Sequence, residues 1–197
     1  VKTAAFAELY KNYGASIVQL VVDHHRLHGG MSRFNKIKYY HRFFLGEELD
    51  DLEIDELAKQ FSVLVVDKVI ESKEVHGAMA MLEYCSRNSK QCFVNSATPL
   101  EEIQRIVDKR GLSAYFSGVY GSPQSKVDNF MQIIRQTGYE TSDILYFGDA
   151  INDYEAAIRV GAGFIGLVPK DSESIFPDST IIITDFSHLL HGLLDKN

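Results

Sequence analysis

The sequence predicts an α/β protein, a Rossmann-like parallel sheet with helices on both faces, joined to an all-helical segment. Three observations carry this. In the first third of the chain, apolar residues recur at helical spacing. From about residue 73, short apolar runs alternate with helical patterns, as parallel strands joined by crossover helices do. The polar residues with chemical potential fall where those runs end, at the rim where open parallel sheets bind ligands.

Taken in order, Phe6, Leu9, Tyr10 and Tyr13 lie on one helical face, and Gly14 stops the turn. Ile17, Leu20 and Val21 open a second helix that runs toward HHRLHGG, where Gly29-Gly30 breaks it. Ser32 is placed as an N-cap, and Phe34, Ile37, His41 and Phe44 line the next helix up to Gly46. Ile54, Leu57, Ala58, Phe61 and Val65 predict a fourth helix reaching Ile70, although FSVLVV alone also reads as a strand. These helices make up a first unit, residues 1–72. The second unit, 73–197, opens with a helix through Val75, Ala78, Met79, Leu82 and Cys85. QCFVN, AYFSGVY, DILYF, GFIGLV and STIIIT follow as strands. PLEEIQRIVDKRG, SKVDNFMQIIRQTG and NDYEAAIRVG are the helices between them, with Pro99 and Gly111 bounding the first.

Bulk properties narrow the function. The chain has 197 residues, 45% of them apolar, enough for a full core. The net charge of -7 with scattered basic residues argues against nucleic acid, which demands a basic face. Cys85 and Cys92 sit at no metal-ligand spacing and read as small buried thiols. No apolar run approaches the ~20 residues of a membrane span, and VKTAAFAELY lacks the apolar middle of a secretory signal. A soluble, cytoplasmic protein is expected.

Three polar signals converge on one rim. QCFVN runs into Ser96-Ala97-Thr98. AYFSGVY runs into Gly121-Ser122-Pro123, with Lys126 at the following helix start. DILYF runs into Gly148-Asp149, and Asn152 and Asp153 enter the next helix. Two carboxylates so close repel unless a positive charge lies between them. Oxygen ligands favour Mg²⁺, Lys126 would neutralise phosphate, and a hydroxyl beside backbone N–H groups would hold its oxygens. Taken singly, Asp153 is also an ordinary helix N-terminal acid, Ser96 or Thr98 a helix cap, and Lys126 a solvated surface residue.

FVNSATP, GSPQSKVDNF and YFGDAINDYEAA resemble, in order, the second, third and fourth motifs of haloacid dehalogenase (HAD) superfamily phosphatases. Gly-Asp-x-x-Asn-Asp is the most specific of them, and the resemblance extends over nearly the whole chain. It implies a HAD-like core with a helical cap, as in members of the phosphoglycolate phosphatase and β-phosphoglucomutase type. It implies that Ser96, or else Thr98, binds the phosphoryl group with Ala97, that Lys126 stabilises charge on nucleophile and phosphate, and that Asp149 ligates Mg²⁺. Asp153 is then a second ligand or an anchor behind the ligands. Val127 stands where the family often has Pro.

The family's first motif, a strand ending in Asp-x-Asp-Gly that supplies the nucleophile and the acid–base, has no counterpart here. Asp23 and Asp67 each offer a lone carboxylate in the wrong context. That strand lies in the family between those carrying Ser96 and Asp149, so the expectation is that it and both catalytic aspartates lie upstream of Val1. In the cap, Arg33 and Lys36 share a helix face behind a Gly-Gly turn. They either grip a substrate carboxylate or second phosphate or form a solvated basic face. His24 and His28, four apart, are either two metal ligands or surface histidines.

The expected activity is Mg²⁺-dependent hydrolysis of a small phosphorylated metabolite through an aspartyl-phosphate, with no nucleic-acid or membrane partner. The alternatives are a β-phosphoglucomutase-type phosphomutase and, if the chain is complete, an inactive binding domain. A signalling receiver domain uses similar groups, but there the acidic residues precede the hydroxyl and Lys, whereas here the hydroxyl and Lys come first.

Overall fold

The computed structural model describes residues 1–189. Four helices come first: α1 (Lys2–Leu9), α2 (Ala15–Leu27), α3 (Arg33–Tyr40) and α4 (Asp51–Ile70). A 3₁₀ turn, Lys11–Tyr13, follows α1, and a π turn, His41–Leu45, widens the end of α3 before Gly46 leaves it in the left-handed region. The predicted helix through Phe44 is thus two pieces. α4 settles the ambiguity of FSVLVV in favour of helix. Asp50 and Glu53 form a reciprocal capping box, with Glu53 N donating to Asp50 Oδ1 (2.8 Å) and Asp50 N to Glu53 Oε2 (2.9 Å). Ile54, Ala58, Phe61 and Val65 then fall on one buried stripe. That stripe meets Phe6, Tyr10, Val21, Ile37 and Tyr40 in a single apolar cluster. The rings interlock, Phe6 on Phe61 at 4.2 Å and Phe6 edge-on to Tyr40 at 5.6 Å. Each such ring stabilises by roughly 1.5–3 kcal/mol on burial.

The remainder alternates: α5 (Ala78–Arg87), β1 (Phe93–Pro99), α6 (Leu100–Lys109), β2 (Gly118–Ser122), α7 (Lys126–Thr137), β3 (Leu145–Gly148), α8 (Ile151–Val160), β4 (Gly163–Leu167) and β5 (Ile181–Ile183). β2 begins later than AYFSGVY suggested, because Ser113–Tyr115 coil into a 3₁₀ turn and only Gly118 onward pairs with β1. Every ladder is parallel. The strands fall into two sheets, β1-β2 and β3-β4-β5, with no ladder between β1 and β3 among the described residues. A side chain joins them instead: Tyr146 Oη, on β3, donates to the Asn95 carbonyl on β1 (2.9 Å). A second apolar cluster, centred on Phe130, Ala156, Ala157 and Ala162, packs α7 and α8 together over β3 and β4.

Candidate active site

The ends of β1, β2 and β3 bring the motif residues to one rim. Between the pairings of Asn95 and Pro99 with β2, Ser96-Ala97-Thr98 bulge out of register within β1, and Thr98 N donates to Ser96 Oγ (3.1 Å). Neither hydroxyl caps α6: its N-cap is Pro99, without a side-chain bond. Thr98 is buried, and Ser96 is half-buried. Lys126 is the first residue of α7, behind Ser125, which caps Asp128 N (3.1 Å). Two asparagines fasten that helix start to β1. Asn95 Nδ2 donates to the Lys126 carbonyl (2.9 Å), and Asn129 Nδ2 donates to Asn95 Oδ1 (3.0 Å).

From this position the Lys126 ammonium pairs with the Asp153 carboxylate. Asp153 also lies 2.6 Å from Tyr146 Oη, whose single proton it shares with the Asn95 carbonyl, and accepts from Ala150 N (3.2 Å), so its carboxylate is fully engaged and buried. Burial, reinforced by Asp153's charge, holds the Tyr146 phenol protonated far above its ordinary range. Gly148 is required by this packing: a Cβ there would lie 2.6 Å from Asp153 Cγ. Asp149 is in the opposite situation. Its side chain is exposed and takes no hydrogen bond or ion pair among the described residues, although Lys2 and Tyr146 both feel its charge.

The helical segment covers this rim. Gly29 and Gly30, between α2 and α3, rest on the start of α8. A Cβ at Gly30 would stand 2.9 Å from Asn152 Cβ and 3.1 Å from Ala150 Cβ. Arg33 reaches down to α6 and clasps Glu102 with both guanidinium nitrogens (2.7 and 2.5 Å), and Ser62 Oγ donates to the same carboxylate (2.7 Å). Phe61 lies under the guanidinium at 4.8 Å. Lys36 is wholly buried, its ammonium 2.6 Å from His25 Nδ1. Burial lowers Lys36 to about 7 and His25 to about 4, so His25 is the neutral acceptor of the pair. Arg33 and Lys36 therefore share a face, as the spacing predicts, but each already has a protein partner. Lys2, from the start of α1, extends across to Thr98 Oγ1 (3.4 Å).

Four residues of this constellation had escaped sequence reasoning. Asn95, Asn129 and Tyr146 carry no motif signal of their own, and Lys2 looks like any solvated lysine at a helix start. Elsewhere, a recess of about 490 Å³ on the helical segment is lined by Tyr13, His41, Glu47 and Glu56 among others, and by no motif residue. Its acidic rim is unsuited to phosphate. His24 stacks on Tyr39 (4.3 Å) with His28 tilted against it (4.2 Å), and burial lowers its pKa to about 4. Cys85 and Cys92 are half-buried free thiols in contact, and burial, then Cys85, pushes Cys92 up to about 12.

The sequence profile of the haloacid dehalogenase-like hydrolases matches residues 2–161. The chain belongs to this family. No curated protein matches it at a significant level. Solved structures share its fold. A β-phosphoglucomutase from Clostridium difficile superposes with a TM-score of 0.78 at 14% identity, covering 99% of this chain and 88% of that one. A predicted phosphoglycolate phosphatase from Haemophilus somnus gives 0.70 at 17%, covering 98% and 90%. A HAD hydrolase from Bacillus subtilis, bound to magnesium, gives 0.68 at 13%, covering 98% and 91%.

For a haloacid dehalogenase-like centre the donors can be tested against a metal. Among the described residues no three His, Cys, Asp or Glu side chains form a ready cage. Mg²⁺ does not need one: one or two carboxylates suffice, with substrate phosphate and water completing the octahedron. Asp149, exposed and unpartnered, fits that demand. The Asp153 carboxylate is already divided among an ammonium, a phenol and a backbone N–H.

Proposed function

We propose that the chain is the cap and most of the core of a cytoplasmic, Mg²⁺-dependent phosphatase acting on a small phosphorylated metabolite. Residues 1–72 are the cap, and 73–197 the core. The observation that carries this is the Lys126–Asp153 pair held beside the unpartnered Asp149, on the rim that also presents Ser96, Ala97 and Thr98. Asp149 would hold Mg²⁺, which supplies Lewis-acid stabilisation of phosphoryl charge when bound. Ser96 Oγ and the N–H groups of its bulge take phosphoryl oxygens, with Thr98 beside them. Lys126, fixed by Asp153 and Asn95, offsets the charge that develops as phosphorus is attacked. Asp153 orients Lys126 rather than binding metal. The closed cap excludes water during transfer.

The nucleophile is assigned to an aspartate on a strand between β1 and β3, upstream of Val1. The division of the sheet at this point supports it. A tyrosine side chain plus a hydrogen bond spans on the order of 9–10 Å, two strand spacings. The Asn95 carbonyl that Tyr146 occupies is a ladder acceptor such a strand would claim. In the reaction this carboxylate displaces the alcohol and becomes an acyl-phosphate, which water then cleaves to inorganic phosphate.

The test is phosphate release from a panel of phosphate monoesters by the natural-length protein, with Mg²⁺ and with chelator. Release that requires Mg²⁺ and disappears when the upstream aspartate is changed to Asn is the expected result. Return of the phosphoryl group to a sugar phosphate would identify a mutase, and no turnover on any ester an inactive binding domain.

A further inference from the structure

Four cations meet where the cap rests on the core: Lys2, Arg33, Lys36 and Lys126. Three are answered. Arg33 has Glu102, Lys126 has Asp153, and Lys36 has the neutral His25. Lys2 has neither an anionic partner nor a neutral base within bonding distance among the described residues. Its one side-chain hydrogen bond is a long one, 3.4 Å, to Thr98 Oγ1.

The position of Lys2 is set by its helix. Phe6, one turn on and on the same face, is buried in the cap core beneath the Lys36 ammonium (5.7 Å). Lys2 is thereby turned inward, toward the Ser96-Ala97-Thr98 segment and within range of Asp149 and Lys126. The residue is exposed overall, and partial burial of its ammonium, then Arg33, lowers its pKa. A strut to Thr98 alone would not require a charge, whereas an ammonium 3.4 Å from Thr98 Oγ1 lies where a phosphoryl group held by that segment would meet it.

We propose that Lys2 is a substrate-positioning cation whose ammonium takes an anionic oxygen of the phosphorylated substrate, on the cap side of the cleft and across from Lys126. The assignment rests on the phosphatase reading above. The oxygen belongs either to the phosphoryl group itself or to a second acid group on the substrate.

The natural-length protein is compared with its Lys2→Met and Lys2→Arg variants. Inorganic phosphate affinity is measured by calorimetry, and kcat and KM on a neutral-tailed and a carboxylate-tailed phosphate ester. One charge-assisted hydrogen bond corresponds to a roughly 10- to 100-fold effect. Lys2→Met is expected to weaken affinity by that factor while kcat changes little, and Lys2→Arg to recover most of it. Weakened inorganic phosphate binding assigns the contact to the phosphoryl group. A KM increase confined to the carboxylate-tailed ester assigns it to the second acid group. Unchanged phosphate affinity and unchanged KM on both esters would overturn the proposal, as would a lowered melting temperature with affinity intact, which makes Lys2 a strut. If the unaltered protein neither binds phosphate nor releases it, the phosphatase reading falls first and this assignment with it.

Discussion

Asp149 and Asp153 share a motif, but their surroundings separate them. Asp153 is buried between Lys126, Tyr146 and the Ala150 N–H, whereas Asp149 faces solvent with nothing bonded to it. Removing one charge from a buried pair leaves the other uncompensated. Asp153→Asn is therefore expected to cost about 3 kcal/mol in urea unfolding. Asp149→Asn, at an exposed position, should stay within about 0.5 kcal/mol. Activity should respond differently: Asp149→Asn is expected to abolish the Mg²⁺ response of phosphate release with the fold intact. Equal stability losses in both variants would refute the division of labour. The motif residues were legible in the sequence because each lies at a strand-to-helix turn, a local signal. Asn95, Asn129 and Tyr146 were not, since what makes them matter is contact with residues 31, 34 and 51 positions away.

Helix α3 shows what periodicity does and does not contain. Spacing put Arg33 and Lys36 on one face, but not what that face would meet. It meets the buried interior, and Glu102 lies 69 positions from Arg33. For Lys36 burial has a measurable consequence. Its folded pKa of about 7 lies below the ordinary lysine value, so the unfolded chain binds more protons between them. Stability should thus rise as pH increases above 7, and the destabilisation is complete below it. His24 and His25, lowered to about 4, act in the same sense at more acid pH, between about 4 and their ordinary range. Urea midpoints at pH 7 and 9 should show the rise in the unaltered protein, and Lys36→Met should reduce it, leaving the part that the lowered Lys2 contributes. The buried tyrosines Tyr10, Tyr40 and Tyr146 act only at higher pH, outside this window. An unchanged slope in Lys36→Met would mean the amine is solvated in the folded state.

At the scale of the whole molecule, the alternation of strands and helices revealed the class, and every ladder that forms is parallel. What no local pattern contained is how the cap seats on the core. Several contacts do it, Arg110 on the Val69, Ile70 and Ser72 carbonyls among them, and two differ in kind. Arg33 on Glu102 is a buried bidentate ion pair, and the Gly29-Gly30 turn on Ala150 and Asn152 is steric. Gly30 is not in the left-handed region, so alanine fits its backbone, and only the space is lacking. A methyl carbon 2.9 Å from Asn152 Cβ must retreat by about 1 Å to reach ordinary contact, and a misplacement of that size is on the order of 10²-fold in rate. Ala150 and Asn152 follow closely on the residue proposed to hold Mg²⁺, so the displaced part is either the cap or the metal carboxylate's own turn. Gly30→Ala should therefore lower kcat/KM by about two orders of magnitude and leave the urea midpoint nearly unchanged, because the clash is relieved by opening rather than unfolding. Small-angle scattering separates the two routes: a larger radius of gyration means the cap has lifted, and an unchanged one with a weakened Mg²⁺ response means the turn has yielded. Undiminished kcat/KM with both readouts unaltered would show that the turn does not set closure, leaving the polar contacts led by the Arg33–Glu102 pair to hold the cap.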